Sequence, residues 1–251
     1  MVKVIVLGSA NAIPTAEHEN TFMLIQGNRD QILVDCPVNP IVRFRQANID
    51  PKRITGVLVT HFHPDHVAGL PGLFSTLWLL GRRQPLKVYG YQFTLDRVEQ
   101  MIDLFDFDTW PEFFPIEYCS YPEENLTQVI DTPEFRIVSS PGVHIIPTSG
   151  LRIEAHQTGK VLAYSSDTEP CEAIIELAAE ADILIHEASG SYRFHSSAAQ
   201  AGGVAQKAKA KTLYFVHYTP DLYNSPDMLA AARQHFSGDI QFASDLLEIE
   251  F

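Results

Sequence analysis

Short apolar runs separated by polar turns recur along the whole chain and predict a fold that mixes strands and helices. Strands are predicted where a short apolar run is bounded by turn residues, at 2–7, 21–25, 31–34, 56–59, 86–89, 116–120, 127–130, 135–139, 151–154, 160–164, 183–186 and 212–216. Helices are predicted from the spacing of apolar side chains at 41–47, 70–80, 94–105, 171–179, 197–208 and 227–235, followed by two C-terminal strands. Strands and helices in both halves favour an α/β fold of two packed sheets with helices outside.

Composition adds that the chain can bury a core of its own. It has 251 residues, of which 45% are hydrophobic and 20% charged, which is ordinary for a globular protein. No Gly/Ser-rich linker, charge block or repeat of fixed period interrupts it, which predicts one domain over residues 1–251. No segment approaches the ~18 apolar residues of a membrane span, so no membrane partner is expected.

The cysteines point to a reducing compartment. Cys36, Cys119 and Cys171 are odd in number and far apart. They include no C-x-x-C pair, which argues against a zinc finger and against a redox dithiol. Reduced, buried thiols in the cytoplasm are therefore the expectation.

The most informative motif is the run His61-Phe62-His63-Pro64-Asp65-His66, which directly follows the buried strand predicted at 56–59. Neutral imidazole is a very common metal ligand, and three histidines beside a carboxylate are hard to explain by packing. In an extended turn, His61 and His63 point to one side, and Asp65 and His66 then face a second position. One loop can thus serve two metal centres; the alternative is a histidine-rich turn that arose by chance.

Three further ligand candidates stand in loops or at strand ends elsewhere in the chain. His144 lies in a Pro-Gly turn, Asp167 follows the strand at 160–164, and His217 ends the strand at 212–216. The end of a buried strand holds a ligand rigidly, as a catalytic site requires. Taken singly, each has an ordinary alternative: a turn histidine, a helix-capping aspartate or a half-buried histidine.

In this order the motifs resemble those of the metallo-β-lactamase superfamily, and within it the ribonuclease Z-like branch. The resemblance covers nearly the whole chain, and the histidine motif is highly specific for the superfamily. It rests on Leu7-Gly8-Ser9, Ile13-Pro14, Val34-Asp35-Cys36, Thr60–His66, Gly69–Leu73, His144, Ser166-Asp167-Thr168, His186-Glu187-Ala188, His195-Ser196-Ser197 and His217–Pro220.

The resemblance implies an αββα sandwich of two mixed sheets and two bound metal ions. It implies that His61, His63 and His144 bind one metal, that Asp65, His66 and His217 bind the other, and that Asp167 bridges both. Asp35 would orient ligands from behind. Nitrogen and carboxylate ligands suit two Zn²⁺ ions, with manganese and iron as alternatives. A homodimer is also implied.

The resemblance further implies hydrolysis by a metal-bridging water. Two metals about 3.5–4 Å apart can clamp an in-line displacement at phosphorus. Asp65 is placed to take the proton of the water, and Glu187 with His195 to protonate the leaving oxygen. The alternative for the last pair is a surface ion pair and a helix cap.

Three departures from the branch bear on the substrate. The Gly/Pro-rich arm that grips transfer RNA is absent, because the short segment between His144 and Asp167 predicts a tight hairpin. The loop at 15–20 carries acids instead of Lys and Arg, and Pro37–Pro40 replaces Gly-rich residues. The net charge of −13 also repels a polyanion, although a local basic patch such as Arg82-Arg83 can persist. A small phosphodiester is therefore expected in preference to transfer RNA.

Other functions remain open at the level of sequence. The scaffold also carries arylsulfatases, lactonases and thioesterases, so the fold alone does not select the reaction. A non-catalytic metal-binding protein and a diiron redox protein are further alternatives. The aromatic stretch 91–121 is compatible with a lid, a dimer contact or core packing.

Overall fold

The computed structural model describes residues 2–251 and contains two seven-stranded sheets. The first half of the chain forms β1 (Lys3–Gly8), β2 (Phe22–Gln26), β3 (Gln31–Val34), β4 (Gly56–Leu58), β5 (Leu86–Tyr91) and β6 (Ile116–Tyr121). The second half forms β7 (Thr127–Asp131), β8 (Phe135–Pro141), β9 (Ser149–Ala155), β10 (Val161–Tyr164), β11 (Ile183–Glu187), β12 (Thr212–Val216), β13 (Asp239–Phe242) and β14 (Leu247–Glu250).

The two sheets have the same arrangement of strands. The first has the order β14-β1-β2-β3-β4-β5-β6 and the second the order β13-β12-β11-β10-β9-β8-β7. In the first, β3 to β6 are mutually parallel and the rest antiparallel. In the second, β10 to β13 are parallel and β7 to β10 antiparallel. Both sheets are therefore mixed.

Helices cover the outer face of each sheet. They are α1 (Ile41–Gln46), α2 (Pro64–Val67), α3 (Leu70–Leu79), α4 (Gln92–Asp103), α5 (Glu172–Leu177), α6 (Ala198–Ala208) and α7 (Pro226–Arg233). Three 3₁₀ turns lie at Pro51–Arg53, Phe107–Thr109 and Pro220–Leu222. Across the described residues, no helix has the length and apolarity needed to cross a membrane.

The burial of β1 on both faces shows why its sequence is continuously apolar. Val4 and Val6 lie in the core between the two sheets, whereas Ile5 and Leu7 pack in the core under the first helical layer. Alternate side chains of a strand point to opposite faces, so both sets must be apolar here. A third core lies between the second sheet and α5, α6 and α7. The layers are therefore helix, sheet, sheet, helix, as the sequence predicts.

The histidine motif changes from extended chain to helix in its middle, because α2 begins directly after His63. Pro64 occupies the first turn, where its fixed φ suits a helix and its missing N–H costs nothing. His63 remains extended, with φ −102° and ψ 153°. The change from extended to helical chain is what turns Asp65 and His66 away from His61 and His63.

Candidate metal centre

The candidate ligands lie where strands of both sheets end. His61 follows β4, Asp167 follows β10, and His217 follows β12 directly. All three strands belong to the parallel parts of their sheets, whose carboxyl ends face the same edge. Ligand sites of α/β sheets form in this crevice.

Three residues at this edge have left-handed backbone, with φ 61° at Asp35, 54° at Ser166 and 52° at His217. Such φ values are uncommon for residues other than glycine and cluster at functional sites, where the surrounding structure holds them. At His217, the backbone N–H donates to the Ser9 carbonyl at 2.8 Å, which helps to fix the turn. The chain therefore bends sharply at the strand ends and directs these side chains into the crevice.

The first predicted triad converges on one point. The Nε2 atoms of His61 and His144 each lie 3.1 Å from Nδ1 of His63. The three ligand atoms belong to one group whose members lie within 4.8 Å of one another. His61 is fully buried, and burial holds the pKa of its imidazole well below the usual range. A neutral imidazole is the form that binds a metal.

The second triad converges beside the first. His217 Nε2 lies 3.4 Å from Asp65 Oδ2, and His66 Nε2 lies 3.8 Å from the same oxygen. Asp167 stands between the triads: its Oδ2 is 3.8 Å from His61 Nε2, 3.5 Å from His66 Nε2 and 3.3 Å from His217 Nε2. The structure thus brings all seven sequence-predicted ligands together at one place.

Hydrogen bonds to the Nδ1 atoms of His217 and His144 fix the tautomers of these two candidate ligands. The Ser189 hydroxyl donates to the His217 carbonyl at 2.6 Å, so it accepts from His217 Nδ1–H at 2.8 Å. The Phe194 carbonyl can only accept, so the 2.8 Å contact makes His144 Nδ1 a donor. Both rings therefore present an Nε2 lone pair to the crevice.

Asp35 does the same for His66 and His61. Its Oδ1 accepts the Thr60 N–H at 2.8 Å, and its Oδ2 accepts the Thr60 hydroxyl and His66 Nδ1–H, both at 2.9 Å. Since the Thr60 hydroxyl donates to Asp35, it accepts from His61 Nδ1–H at 3.1 Å. One buried carboxylate therefore sets the orientation of two ligands.

The residues present fit a cation by an independent criterion. His66 Nε2 and Asp167 Oδ1 are buried in the described protein and have no hydrogen-bond partner. Buried polar atoms nearly always have a hydrogen-bond partner, so two unpartnered ones at the point where the candidate ligands converge need an explanation. Burial opposes ionisation of Asp167, but the charges of His217 and His66 hold the pKa of its carboxyl well below the usual range. Positive charge is favoured where the ligands converge.

Glu187 and His195 form a pair at the edge of this centre. Glu187 ends β11, is fully buried, and accepts from the Thr168 N–H at 2.9 Å and the Ser189 N–H at 3.1 Å. Its Oε1 also accepts from His195 Nδ1 at 2.9 Å. Burial opposes protonation of His195, but this hydrogen bond and the charge of Glu187 raise the pKa of the imidazole above its usual value. The imidazole is therefore held in one orientation and is a ready proton donor.

The ligands open onto a cavity of about 240 Å³. Its wall includes His63, Asp65, Asp167, His195 and His217, together with Asn11, Ala12, Ile13, Ser189 and Tyr192. None of the residues that line it is Lys or Arg. The aromatic stretch 91–121 contributes nothing to this wall; Phe107 and Phe114 are part of the core under the first helical layer.

Sequence reasoning assigned no role in the site to the residues that complete the wall. Ile13 and Tyr192 are 70% and 71% exposed, although they are large and apolar. Ser189 acts through His217, and Phe194 orients His144 through its backbone carbonyl. A serine, a backbone carbonyl and surface apolar residues carry no distinctive pattern in the sequence. Only the fold assigns them to the site.

Comparisons with known proteins agree with this geometry. The family model described as Anti-Pycsar protein Apyc1 matches residues 2–244. A ribonuclease Z of Mycolicibacterium gilvum (strain PYR-GCK) is 30% identical over 277 residues, covering 100% of this chain and 96% of that protein. Among solved structures, the metallo-β-lactamase-fold protein YhfI from Bacillus subtilis has a TM-score of 0.83 at 20% identity, covering 100% and 99% of the two chains. The short form of human tRNase Z (ELAC1) has a TM-score of 0.78 at 23% identity, covering 99% and 98%.

The fold and the converging ligands define a ribonuclease Z-like protein of the metallo-β-lactamase superfamily, which is a metal-dependent hydrolase of the phosphodiesterase type. Within that class, the chain belongs to the family described as Anti-Pycsar protein Apyc1.

Proposed function

We propose that this metal-dependent hydrolase is a dinuclear zinc phosphodiesterase that cleaves small phosphodiesters, cyclic nucleotides among them, in preference to transfer RNA. We also propose that it shares the anti-Pycsar activity for which its family is named. The single observation that carries the chemistry is the convergence of seven ligand groups on one small cavity.

His61, His63 and His144 would hold one Zn²⁺, and Asp65, His66 and His217 the other, with Asp167 shared. Imidazole nitrogen and carboxylate oxygen are the donors that Zn²⁺ takes in catalytic sites, which supports zinc over a hard cation. When bound, the two ions would supply Lewis acidity, which lowers the pKa of water and offsets charge at phosphorus.

The chain's own residues would handle the protons. Asp65 lines the cavity, so one of its oxygens can accept the proton of the attacking water. His195 Nδ1–H is held by Glu187, which leaves Nε2–H to donate to the leaving oxygen. An alkoxide is a poor leaving group, and its protonation is the step that this pair favours.

Size and charge support a small substrate. The cavity of about 240 Å³ has room for a phosphodiester group and part of its substituents, and its lining has no Lys or Arg to hold further phosphates. A long RNA needs phosphate contacts away from the cleaved bond. Between His144 and Asp167, the chain forms only the β9–β10 hairpin, which pairs Leu151–Glu154 with Val161–Tyr164. An RNA-gripping arm has no place in this segment.

A homodimer in the cytoplasm completes the proposal. The exposure of Ile13 and Tyr192 at the rim of the cavity supports a second subunit beside it. All three cysteines are free, which supports a reducing compartment. Analytical ultracentrifugation of the pure protein measures the oligomeric state, and a monomer at micromolar concentration contradicts the dimer.

The test combines metal analysis with a substrate panel. Purified protein is analysed for zinc, manganese and iron, and is then given 3′,5′-cyclic nucleotides, bis(p-nitrophenyl) phosphate and a precursor transfer RNA. Two metals per chain, with hydrolysis of the small diesters and an intact RNA, is the expected result. Cleavage of the RNA at its 3′ trailer refutes the preference for small substrates, and a metal-loaded protein that cleaves no diester refutes the function.

His195→Ala separates the proton donor from the metal ligands. General acid catalysis contributes about 10²- to 10⁴-fold, so kcat should fall by at least about 100-fold while the metal content stays at the wild-type level. His156→Ala is the matched control, because His156 is an exposed histidine whose ring hydrogen-bonds to Asp131, away from the metal centre. Loss of metal in His195→Ala refutes the assigned role.

A further inference from the structure

A second cavity, of about 620 Å³, lies at the opposite end of the first sheet and is lined by cations. Five of the chain's 18 Lys and Arg residues border it, namely Arg29, Lys52, Arg53, Arg82 and Arg83, and none of its lining residues is acidic. This is unexpected in a protein whose net charge is −13. We propose that this cavity, here called the basic pocket, binds a phosphate-bearing organic ligand of nucleotide size.

The pocket is separate from the metal centre. Thr55, which lines it, precedes β4, whereas His61 lies beyond the other end of that strand. Six residues of extended chain span roughly 20 Å at about 3.3 Å per residue, so one small ligand cannot reach both sites. Charges so far apart are also largely screened at physiological salt.

Four of the five cations have no ion pair within the described protein. Only Arg83 has one, to Glu112 at 3.1 Å, with side chains that are 44% and 78% exposed. An exposed pair of this kind contributes little and yields readily to a better anion. Two acids of the adjoining loops are engaged with backbone groups: Asp50 accepts the Lys52 N–H, and Glu134 accepts backbone N–H groups of 28–30. The positive charge therefore remains available to a ligand.

Arg82 gives the pocket a fixed anchor. Its guanidinium donates to the Gln84, Ile54 and Pro85 carbonyls at 2.9, 2.8 and 2.7 Å. Those bonds use three of its five N–H groups and neutralise none of its charge. Burial lowers the pKa of Arg82, which is the cost of holding an uncompensated cation in place. A cation that is already ordered loses little entropy when an anion binds.

The lining also has an apolar part, which favours an organic ligand over a bare ion. Ile54, Leu80 and Pro85 line the pocket beside the cations. Its volume falls within the range of about 300–1,000 Å³ that small-molecule sites occupy. Beside the pocket, Asp103, Asp106, Asp108 and Glu112 line a neighbouring groove and would repel a polyanion that extended past it. The ligand is therefore small: a few phosphate charges attached to an apolar group.

Isothermal titration calorimetry of the metal-loaded protein with AMP tests the proposal. Adenosine, which lacks the phosphate, and inorganic phosphate, which lacks the organic group, are the comparison ligands. Arg29→Gln/Lys52→Gln removes two exposed cations that make no side-chain hydrogen bond in the described structure. Lys160→Gln/Lys207→Gln is the matched control, with the same charge change at two exposed lysines outside the pocket. We expect AMP affinity to fall at least tenfold in the first variant and to stay unchanged in the second, with no binding of adenosine.

Several results overturn the proposal. Equal AMP binding by wild type and Arg29→Gln/Lys52→Gln places the binding outside the basic pocket, and an equal loss in the control variant assigns it to net charge alone. Inorganic phosphate binding as tightly as AMP refutes the organic part of the ligand. Diester hydrolysis by Arg29→Gln/Lys52→Gln should match the wild type, which keeps this test independent of the proposed catalytic function.

Discussion

Replacing Asp35 with asparagine changes one charge behind the metal centre without changing shape or backbone. Asp35 has φ 61°, a conformation that asparagine tolerates well, and its side chain is fully buried. The carboxylate accepts three hydrogen bonds, two of them from Thr60 and one from His66 Nδ1–H. If the asparagine oxygen keeps the Thr60 N–H, its amide N–H₂ faces His66 Nδ1. That nitrogen must then become the acceptor, which moves the proton to Nε2, where the metal should bind.

The expected magnitude follows from the lost contacts. Replacing an orienting partner of a metal ligand costs about 10- to 100-fold in metal affinity, which is about 1.4–2.7 kcal/mol. A hydrogen bond to a charged group contributes about 1.5–3 kcal/mol, so the metal-free protein should also lose about 2 kcal/mol of unfolding free energy. The metal-loaded protein should lose both contributions.

The assay measures metal affinity by competition with a chromogenic chelator, and stability by urea unfolding of metal-free protein. Asp245→Asn is the matched control: the side chain of Asp245 is only 5% exposed, accepts from Ser9 and from the Glu19 N–H, and pairs with Arg43. It should lose stability and keep its metal affinity. Wild-type metal affinity in Asp35→Asn would refute the tautomer argument, even if stability falls.

The remaining predictions concern helix packing, acid stability and metal removal. In α6, a Cβ at Gly202 would meet the Ala232 backbone at 2.7 Å, whereas one at Gly203 would meet nothing within 4 Å. In urea unfolding, Gly202→Ala should therefore destabilise the protein by about 1–3 kcal/mol, and Gly203→Ala should stabilise it by about 1 kcal/mol. Burial opposes the ionisation of Glu134, but hydrogen bonds from the backbone N–H groups of 28–30 lower the pKa of its carboxyl from 4.5 to about 2. The stability that these bonds contribute is therefore present above pH 4.5 and is lost as the pH falls towards 2. Glu134→Gln should thus reduce stability at pH 7 more than at pH 3, and an equal loss at both would contradict this. Removing the metal with a chelator should lower the melting temperature by about 10 °C if free metal had been near 1,000 times its Kd, since such binding adds about 4 kcal/mol; an unchanged value would contradict a metal centre in the folded state.

The seven candidate ligands could be selected from the sequence because each combines a chemically distinctive residue with a distinctive position. The run from His61 to His66 concentrates imidazoles, and His217 closes an apolar strand. Both properties are visible without coordinates. Strand positions were predictable because burial on both faces leaves continuous apolar runs such as that of β1.

What the sequence could not show depends on contacts between distant segments. The tautomers of His144 and His217 depend on a carbonyl of Phe194 and a hydroxyl of Ser189, groups found everywhere in proteins. The basic pocket draws Arg29, Lys52 and Arg82 from three separate loops at the amino ends of β3, β4 and β5. Only the pairing of those parallel strands makes neighbours of them, so the sequence showed the Arg82-Arg83 pair but not the larger basic cluster around it.

Because the candidate ligands are divided between the two sheets, a bound metal centre would cross-link the sheets as well as support catalysis. His61 to His66 extend from the first sheet, whereas His144, Asp167 and His217 extend from the second. Any sliding of one sheet over the other would pull the two groups out of register, and bound ions would resist it. Metal affinity and the docking of the two halves are then thermodynamically coupled, so a change in one changes the other. A substitution deep in the core between the sheets, far from any ligand, would therefore change the metal affinity.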